Sequence, residues 1–443
     1  MESAPAPGLI IAAPSSGSGK TVLTLGLLRY LASSGVQVAS AKAGPDYIDP
    51  AFHAAATGRA CLNLDPWAMG DGSLNRAVAQ LGRDAEIIVC EGVMGLFDGA
   101  TIDSGSTADL SARTGWPVVL VIDSLAQGAS AAAVLRGFAS HRPDVPVAGV
   151  IFNRVAGDKH AGIVTDATRQ ALPEIPVLGC LPRTQGLSLP DRHLGLVQAV
   201  EHPDLEGFID KAAGLVAQHV DVAALKALAR PWEGQAEAEG GPAITPPGQK
   251  IAVARDQAFA FCYPLTLDGW RRAGAELSFF SPLENEAPVP NADAVYLPGG
   301  YPELHAGRLA GNQGFLDGLR TAAGGGAAIF GECGGYMVLG RGLVDATGTR
   351  HAMAGLLPLE TSFAERQLHL GYRRAVLGAD TAVGTTGEAY RGHEFHYATI
   401  LDEGPGTPLF DCVDAAGKPL GPAGRIEGRV MGSFIHLIDR ETA

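Results

Sequence analysis

GLIIAAPSSGSGKTVLTLGLLRYLASSGVQVASAK, residues 8–42, decides the fold of the first half of this chain. An apolar, β-branched run leads into Ser15, Ser16, Gly17, Ser18, Gly19, Lys20 and Thr21. A helical pattern follows over 19–32, and then a second strand-like run, GVQVASAK. Strand, glycine loop, helix and strand make a βαβ unit. In that setting the glycines let backbone N–H groups approach phosphate oxygens, and the helix N-terminus adds a favourable dipole. Lys20 then reaches terminal phosphates and Thr21 can ligate Mg²⁺. Pro14 stands where such loops usually start with glycine, so PSSGSGKT is a variant of the pattern. A plain Gly/Ser turn with a surface lysine is the alternative. It fits poorly with a position directly between a strand and a helix.

The pattern repeats outward. AEIIVCEG (85–92), PVVLVID (117–123), PVAGVIFN (146–153) and PVLGCLP (176–182) read as buried parallel strands. Helices are expected at 126–139 and 161–172, with one long amphipathic helix over 205–228. Alternating strands and helices predict a doubly wound, mostly parallel α/β sheet. Ligands of such sheets bind at the carboxyl ends of strands. Three acidic residues fall there: Asp46 in KAGPDYIDP, Glu91 after EIIVC, and Asp98 in EGVMGLFDG. Mg²⁺ takes few carboxylates, with phosphate oxygens and water. Thr21, Asp46 and Glu91 are therefore the expected metal residues. Asn153, at another strand end, is a candidate for reading the nucleotide base, or else an ordinary turn cap.

Residues 231–249, PWEGQAEAEGGPAITPPGQ, have the composition of an exposed linker. They divide the chain into an expected first domain, 1–230, and a second, 250–443. The second starts a new α/β pattern: IAVARD, a helix over 263–273, LSFFSPL and ADAVYLPGG. The tail from 355 is rich in strand-like segments.

Within the second domain, IFGECGGYMVLG (329–340) runs strand, cysteine, helix. Small residues around Cys333 permit the strained turn that lifts a nucleophile out of a sheet. The helix N-terminus behind the sulfur favours thiolate. A lone cysteine is ordinarily a packed core residue, and the other five cysteines keep that reading. His436, in VMGSFIHLID, is the expected base. LPGGYPE (297–303) ends a strand in Gly299 and Gly300, whose N–H groups, with that of Gly334, suit an oxyanion hole.

Bulk properties set limits. The chain has 443 residues and a net charge of −14, which disfavours nucleic acid and anionic membrane as partners. The six cysteines form no CxxC pair. MESAPAPG lacks the basic start of a signal peptide, and no apolar run reaches membrane-spanning length. The cytoplasm is the expected location. Oligomeric state stays open, a homodimer included.

The combination is familiar. GECGGYM, LPGGYPE and the late histidine resemble the class I (triad-type, flavodoxin-like) glutamine amidotransferase domain, in its cobalamin-pathway branch. PSSGSGKT, KAGPDYIDP, EGVMGLFDG, LPDRHLGL (189–196) and RGHEFHY (391–397) resemble the cobyrinic acid a,c-diamide synthases, whose synthetase half is similar to dethiobiotin synthetase. The resemblance spans essentially the whole chain. It implies that Cys333 forms a glutamyl thioester and that the ammonia released aminolyses an acyl phosphate made with Mg·ATP. It implies a corrinoid polycarboxylate, cobyrinic or hydrogenobyrinic acid, amidated on its a and c acetates. Lys42, Tyr47, Asp98, Arg192 and His193 become candidate substrate residues, and Glu394 a glutamine-site residue. Arg113, Arg154 and Arg183 are further cations for a polyanion. The family's usual Glu two residues after the histidine is Ile438 here, which leaves Asp439 and Glu394 as candidates to orient His436.

Three rivals remain. A partitioning-type ATPase carries a signature lysine where this chain has Ser15. A decayed glutaminase would not keep both Cys333 and His436. A cobyric acid synthase or a nickel sirohydrochlorin a,c-diamide synthase differs least, though KAGPDYIDP points to the a,c-diamide enzymes.

Overall fold

The computed structural model describes residues 6–184, 186–187, 191–192, 195–196, 198–232, 234 and 241–441, the side chains of 191–192 and 195–196 excepted. The chain forms two compact units, Met1–Trp67 with Asp71–Ala238, and Ala68–Gly70 with Glu239–Ala443.

In the first unit, β1 (Gly8–Ala12), β2 (Val38–Ala43), β3 (Leu62–Leu64), β4 (Ile87–Glu91), β5 (Val118–Asp123), β6 (Val147–Val155) and β7 (Val177–Pro182) form one sheet. Its order is β3-β2-β4-β1-β5-β6-β7 and every pairing is parallel. Strands β1, β2 and β4 are buried along their whole length, as a sheet covered on both faces requires. All six expected strands are present. The seventh, β3, is a three-residue edge strand too short for a periodicity to show.

The expected helices lie at Lys20–Ser33, Ser130–His141 and Asp158–Ala171. The long helix over 205–228 is a misreading: it is two helices, Leu205–His219 and Val222–Leu228. Val220 bridges to Gly179 of β7, and the Asp221 N–H donates to the Leu178 carbonyl at 2.7 Å. Asp221 then caps the second helix by accepting from Ala224 N–H. Pairing with the sheet edge outweighs the continuous amphipathic pattern.

In the second unit, β10 (Lys250–Ala254), β11 (Glu276–Phe280), β12 (Ala294–Leu297) and β13 (Ala328–Glu332) continue the α/β pattern, after a short hairpin of β8 (Asp191–Arg192) and β9 (Gly195–Leu196) in the first unit. The sheet order is β11-β10-β12-β13, then Val430–Ser433 and Arg425–Glu427, parallel except for the last pairing. Alternate residues feed two cores. Ala252, Val295, Leu297 and Ile329 face one, with Phe315 and Tyr336. Val253, Tyr296 and Phe330 face the other, with Trp270.

An antiparallel five-stranded sheet (419–423, 410–414, 369–377, 389–396, 435–440) and a four-stranded mixed sheet complete this unit. The stretch 231–249 is not exposed throughout, because Trp232 and Ile244 are buried. Ile244 belongs to the Trp270 core, and the Trp270 indole donates to its carbonyl at 3.0 Å. Composition alone hid that anchor.

Candidate active sites

The first site follows from strand direction. All seven strands of the first sheet point their carboxyl ends one way, so the loops after β1, β2, β4 and β6 converge there. A cleft of about 750 Å³ opens among them. Ser16, Gly17, Gly19, Lys20, Thr21, Lys42, Asp46, Glu91 and Asn153 line it, with Asp49, Arg154 and Arg183. Gly17 and Gly19 adopt φ of 77° and 91°, the left-handed region that favours glycine. The Ser18 hydroxyl braces the loop by donating to the Ser15 carbonyl at 2.9 Å. Lys20 donates to the Met94 carbonyl at 2.6 Å. Burial lowers its pKa despite Glu91 nearby.

Glu91 is the hub. Its Oε1 accepts from the Thr21 hydroxyl at 2.6 Å and lies 3.1 Å from Lys42 Nζ. Its Oε2 lies 2.7 Å from His53 Nε2. Burial opposes its ionisation, but Lys42, His53 and Thr21 outweigh burial and hold the carboxyl below its usual range. Lys42 is 3% exposed and pairs with Asp49 at 2.5 Å. Burial works against its charge, yet Asp49 and Glu91 hold the ammonium above its ordinary pKa. Lys42 is therefore an internal counter-ion that borders the cleft, not the open cation expected from the sequence.

His53 is pushed up to about 10 against burial by Cys61 and Glu91. Its Nδ1 lies 3.4 Å from Cys61 Sγ. Asp49 is raised by burial and by Asp46, with Lys42 pulling the other way. Its Oδ1 is buried without a hydrogen-bond partner.

Sequence reading missed Asp49 and His53. They stand four apart on the helix Asp49–Thr57, hence on one face, which is a spacing signal that was available. Asn153 is brought to the loop, but not as a free base reader. Its Nδ2 donates to the Ser18 carbonyl at 2.9 Å, and its Oδ1 accepts from Arg154 N–H. Asp98 accepts from Gly95 N–H at 2.9 Å and shapes the loop after β4. Tyr47 is half-buried outside the lining of the cleft. Arg113 is tied to Asp71 and the Pro66 carbonyl. The Arg192 side chain and all of His193 lie outside the described residues.

The second site is built at the end of β13. Cys333 sits at φ 48°, ψ −106°, between that strand and the helix Gly334–Leu339. This is the strained elbow expected there. Its N–H donates to the Ser433 carbonyl at 2.8 Å. Glu332 and Ser433 are register partners, and three residues after Ser433 the chain reaches His436. It does so by crossing at Phe434 from the parallel sheet into the antiparallel strand Ile435–Arg440. One crossing thus delivers the imidazole beside the nucleophile strand.

His436 packs on the LPGG loop: a Cβ on Gly299 would stand 2.3 Å from its Cε1. A Cβ on Gly334 would stand 3.1 Å from the Gly300 nitrogen. N–H groups of Gly334 and Gly300 both act on the Cys333 sulfur. The expected oxyanion residues are therefore together.

The expected thiolate is a correction. Burial, then the Glu303 carboxylate, push the Cys333 thiol up, and the two glycine N–H groups do not compensate. Burial, with His393 and His396, lowers His436 to about 3. The resting pair is a neutral thiol and a neutral imidazole.

Glu394 accepts from Arg373 at 2.7 Å and lies 3.0 Å from His396 Nε2. The carboxylate of Asp439 accepts from the N–H groups of Gly70 and Arg440. Those bonds are not to His436. The group that does hold the histidine strand is Glu332, which sequence reading passed over. Its Oε1 accepts from Leu437 N–H at 2.9 Å, and its Oε2 from the Tyr296 hydroxyl at 2.5 Å. His369, Glu394 and His396 bring potential ligand atoms within 4.8 Å of one another. Arg373 and a ring stack of His396 on Phe434 (3.7 Å) account for that cluster without an ion.

A P-loop cleft in one unit and a cysteine elbow with a histidine in the other define a nucleotide-dependent glutamine amidotransferase. Residues 9–197 match the CobQ/CobB/MinD/ParA nucleotide binding domain, and residues 250–443 the CobB/CobQ-like glutamine amidotransferase domain. Hydrogenobyrinate a,c-diamide synthase of Rhizobium meliloti (strain 1021) is 55% identical over 436 residues, 98% of this chain and 99% of that protein. The Sinorhizobium sp enzyme of the same name is 54% identical (98% of each chain), and that of Rhodobacter capsulatus 52% (97% and 98%). The chain belongs to this family of a,c-diamide synthases. Among the described residues, no helix is long and apolar enough to cross a membrane.

Proposed function

We propose that the chain amidates the a and c acetate carboxylates of hydrogenobyrinic acid, using ATP and glutamine. The carrying observation is identity above 50% over nearly the full length of hydrogenobyrinate a,c-diamide synthases, in a chain that keeps both sites. In this reading residues 1–230 are the synthetase domain, 250–443 the glutaminase domain, and 231–249 the stretch between them. A cytoplasmic enzyme fits this chemistry.

In the glutaminase domain, Cys333 Sγ attacks the side-chain amide of glutamine. The proton of the thiol goes to His436 and then to the departing ammonia. N–H groups of Gly300 and Gly334 stabilise the tetrahedral oxyanion. Water then cleaves the thioester to glutamate.

In the synthetase domain, the loop from Ser16 to Thr21 cradles the ATP phosphates. Lys20 stabilises charge that develops as the γ-phosphoryl group passes to a substrate carboxylate. The acyl phosphate that results is attacked by ammonia, because phosphate leaves far more readily than oxide. Mg²⁺ fits here. Asp49 Oδ1 is orphaned, and the Thr21 hydroxyl adjoins Glu91. Thr21, Asp46, Asp49 and Glu91 would hold the ion, which neutralises phosphate charge. Arg183 borders the cleft and suits a polycarboxylate; Arg154 borders it too, but its guanidinium pairs with Asp123 at 2.6 Å and donates to the Gly17 carbonyl at 3.0 Å.

Mass spectrometry tests the proposal. The chain is offered hydrogenobyrinic and cobyrinic acid with glutamine and ATP. Two amide mass steps on hydrogenobyrinic acid are expected, and none would overturn the reading. Cys333→Ala is expected to abolish glutamine-driven amidation while ammonium chloride still supports it.

A further inference from the structure

Glu303 ends the LPGGYPE loop. As a residue it is half-buried, but its Oε2 is shut off from solvent and has no hydrogen-bond partner. The loop is fixed against the nucleophile: a Cβ on Gly334 would stand 2.8 Å from Pro302 Cδ, one residue before Glu303. Among charged groups, Glu303 acts most strongly on the Cys333 thiol, ahead of the adjacent Glu332. Burial pushes the Glu303 acid up to about 8.

An unpaired buried carboxyl is costly. No neighbour satisfies its Oε2, and an arriving donor would. The molecule that arrives at Cys333 is glutamine, an ammonium separated from the reacting amide by a short methylene chain. Backbone N–H groups of Gly300 and Gly334 are suited to oxygen. They offer nothing to an ammonium, whereas a carboxylate does.

We propose that Glu303 is the glutamine-recognition residue, its carboxylate receiving the α-ammonium of the substrate whose amide Cys333 attacks. This rests on the glutaminase reading above. As the ammonium docks, the carboxyl proton leaves to solvent, and only hydrogen bonds form. Glu303 thereby selects α-amino acid amides over simple amides.

The test compares glutamine with glutaramate, its analogue without the α-amino group, on the full chain. Rates are normalised to ammonium-driven amidation of the same preparation. Wild type is expected to favour glutamine in kcat/KM by about thirtyfold, the effect of the ammonium–carboxylate hydrogen bond that glutaramate cannot make. Glu303→Gln and Glu303→Ala are expected to shrink that ratio below about fivefold, mainly through a raised KM for glutamine. Iodoacetamide labelling of Cys333 identifies folded variants, and where a variant fails it, the wild-type ratio decides. A wild-type enzyme indifferent to the α-amino group, or folded variants with an unchanged ratio, overturns the proposal. Wild type that amidates with ammonium chloride but never with glutamine overturns the glutaminase reading instead.

Discussion

Replacing Glu332 by glutamine is expected to change the pH dependence of stability in a defined direction. Burial raises this carboxyl to about 7, opposed by its bonds from Tyr296 and Leu437. Its ordinary value is 4.5. The folded state therefore holds its proton where the unfolded state has lost it. Stability from this group is complete below about 4.5 and is lost as pH rises to about 7. The gap corresponds to about 3 kcal/mol. Glutamine has the same shape, keeps an acceptor for Leu437 N–H and cannot ionise. Glu332→Gln should thus be near neutral at pH 4.5 and gain stability relative to wild type by pH 8. For a unit of roughly 200 residues, 3 kcal/mol is a Tm difference of about 6–12 °C. Melting curves of the full chain across that pH range measure it. If the difference between the two proteins does not change with pH, Glu332 is not held protonated, and the account of its burial is wrong. Glu332→Ala removes the acceptor as well. It should lower glutaminase kcat through the His436 strand while glutamine KM changes little.

Two further substitutions read the sites directly. Gly299→Ala places a methyl 2.3 Å from His436 Cε1, so glutaminase kcat should fall by about 10²-fold or more as the imidazole is displaced; retained activity would show that the histidine does not work from this position. Lys20→Ala and Glu91→Gln should each cut ATP turnover by about 10²-fold or more through lost phosphate and metal contacts, while glutaminase survives. ATP hydrolysis at the wild-type rate in both would move the nucleotide site elsewhere.

What could be read from the chain alone depended on how local the signal was. The loop from Ser15 to Thr21 and the elbow at Cys333 are written in consecutive residues, because a tight turn needs small residues at adjacent positions. Six strands of the first sheet were legible as apolar runs, and β1, β2 and β4 are buried along their whole length. Edge strand β3 and the break at Val220 were not, since one is too short for a pattern and the other is imposed by pairing with β7. Charged residues were the least legible. Lys42 looked like a ligand for a polyanion, but a lysine at the end of β2 meets Glu91 only once β2 and β4 pair in register, and Asp49 only once the helix Asp49–Thr57 packs back on β2. Glu332 and Glu303 stand inside GECGGYM and LPGGYPE, where neither drew a role from the sequence. Both matter through partners, present or missing, that are fixed by strands distant in sequence: Leu437 for the first, an empty acceptor beside Cys333 for the second. The missing triad acid shows the same physics. A motif search expects it two residues after His436, where Ile438 packs in the core. The structure instead ties the histidine strand to the residue preceding the nucleophile, so a single carboxylate, Glu332, braces both halves of the dyad through the backbone.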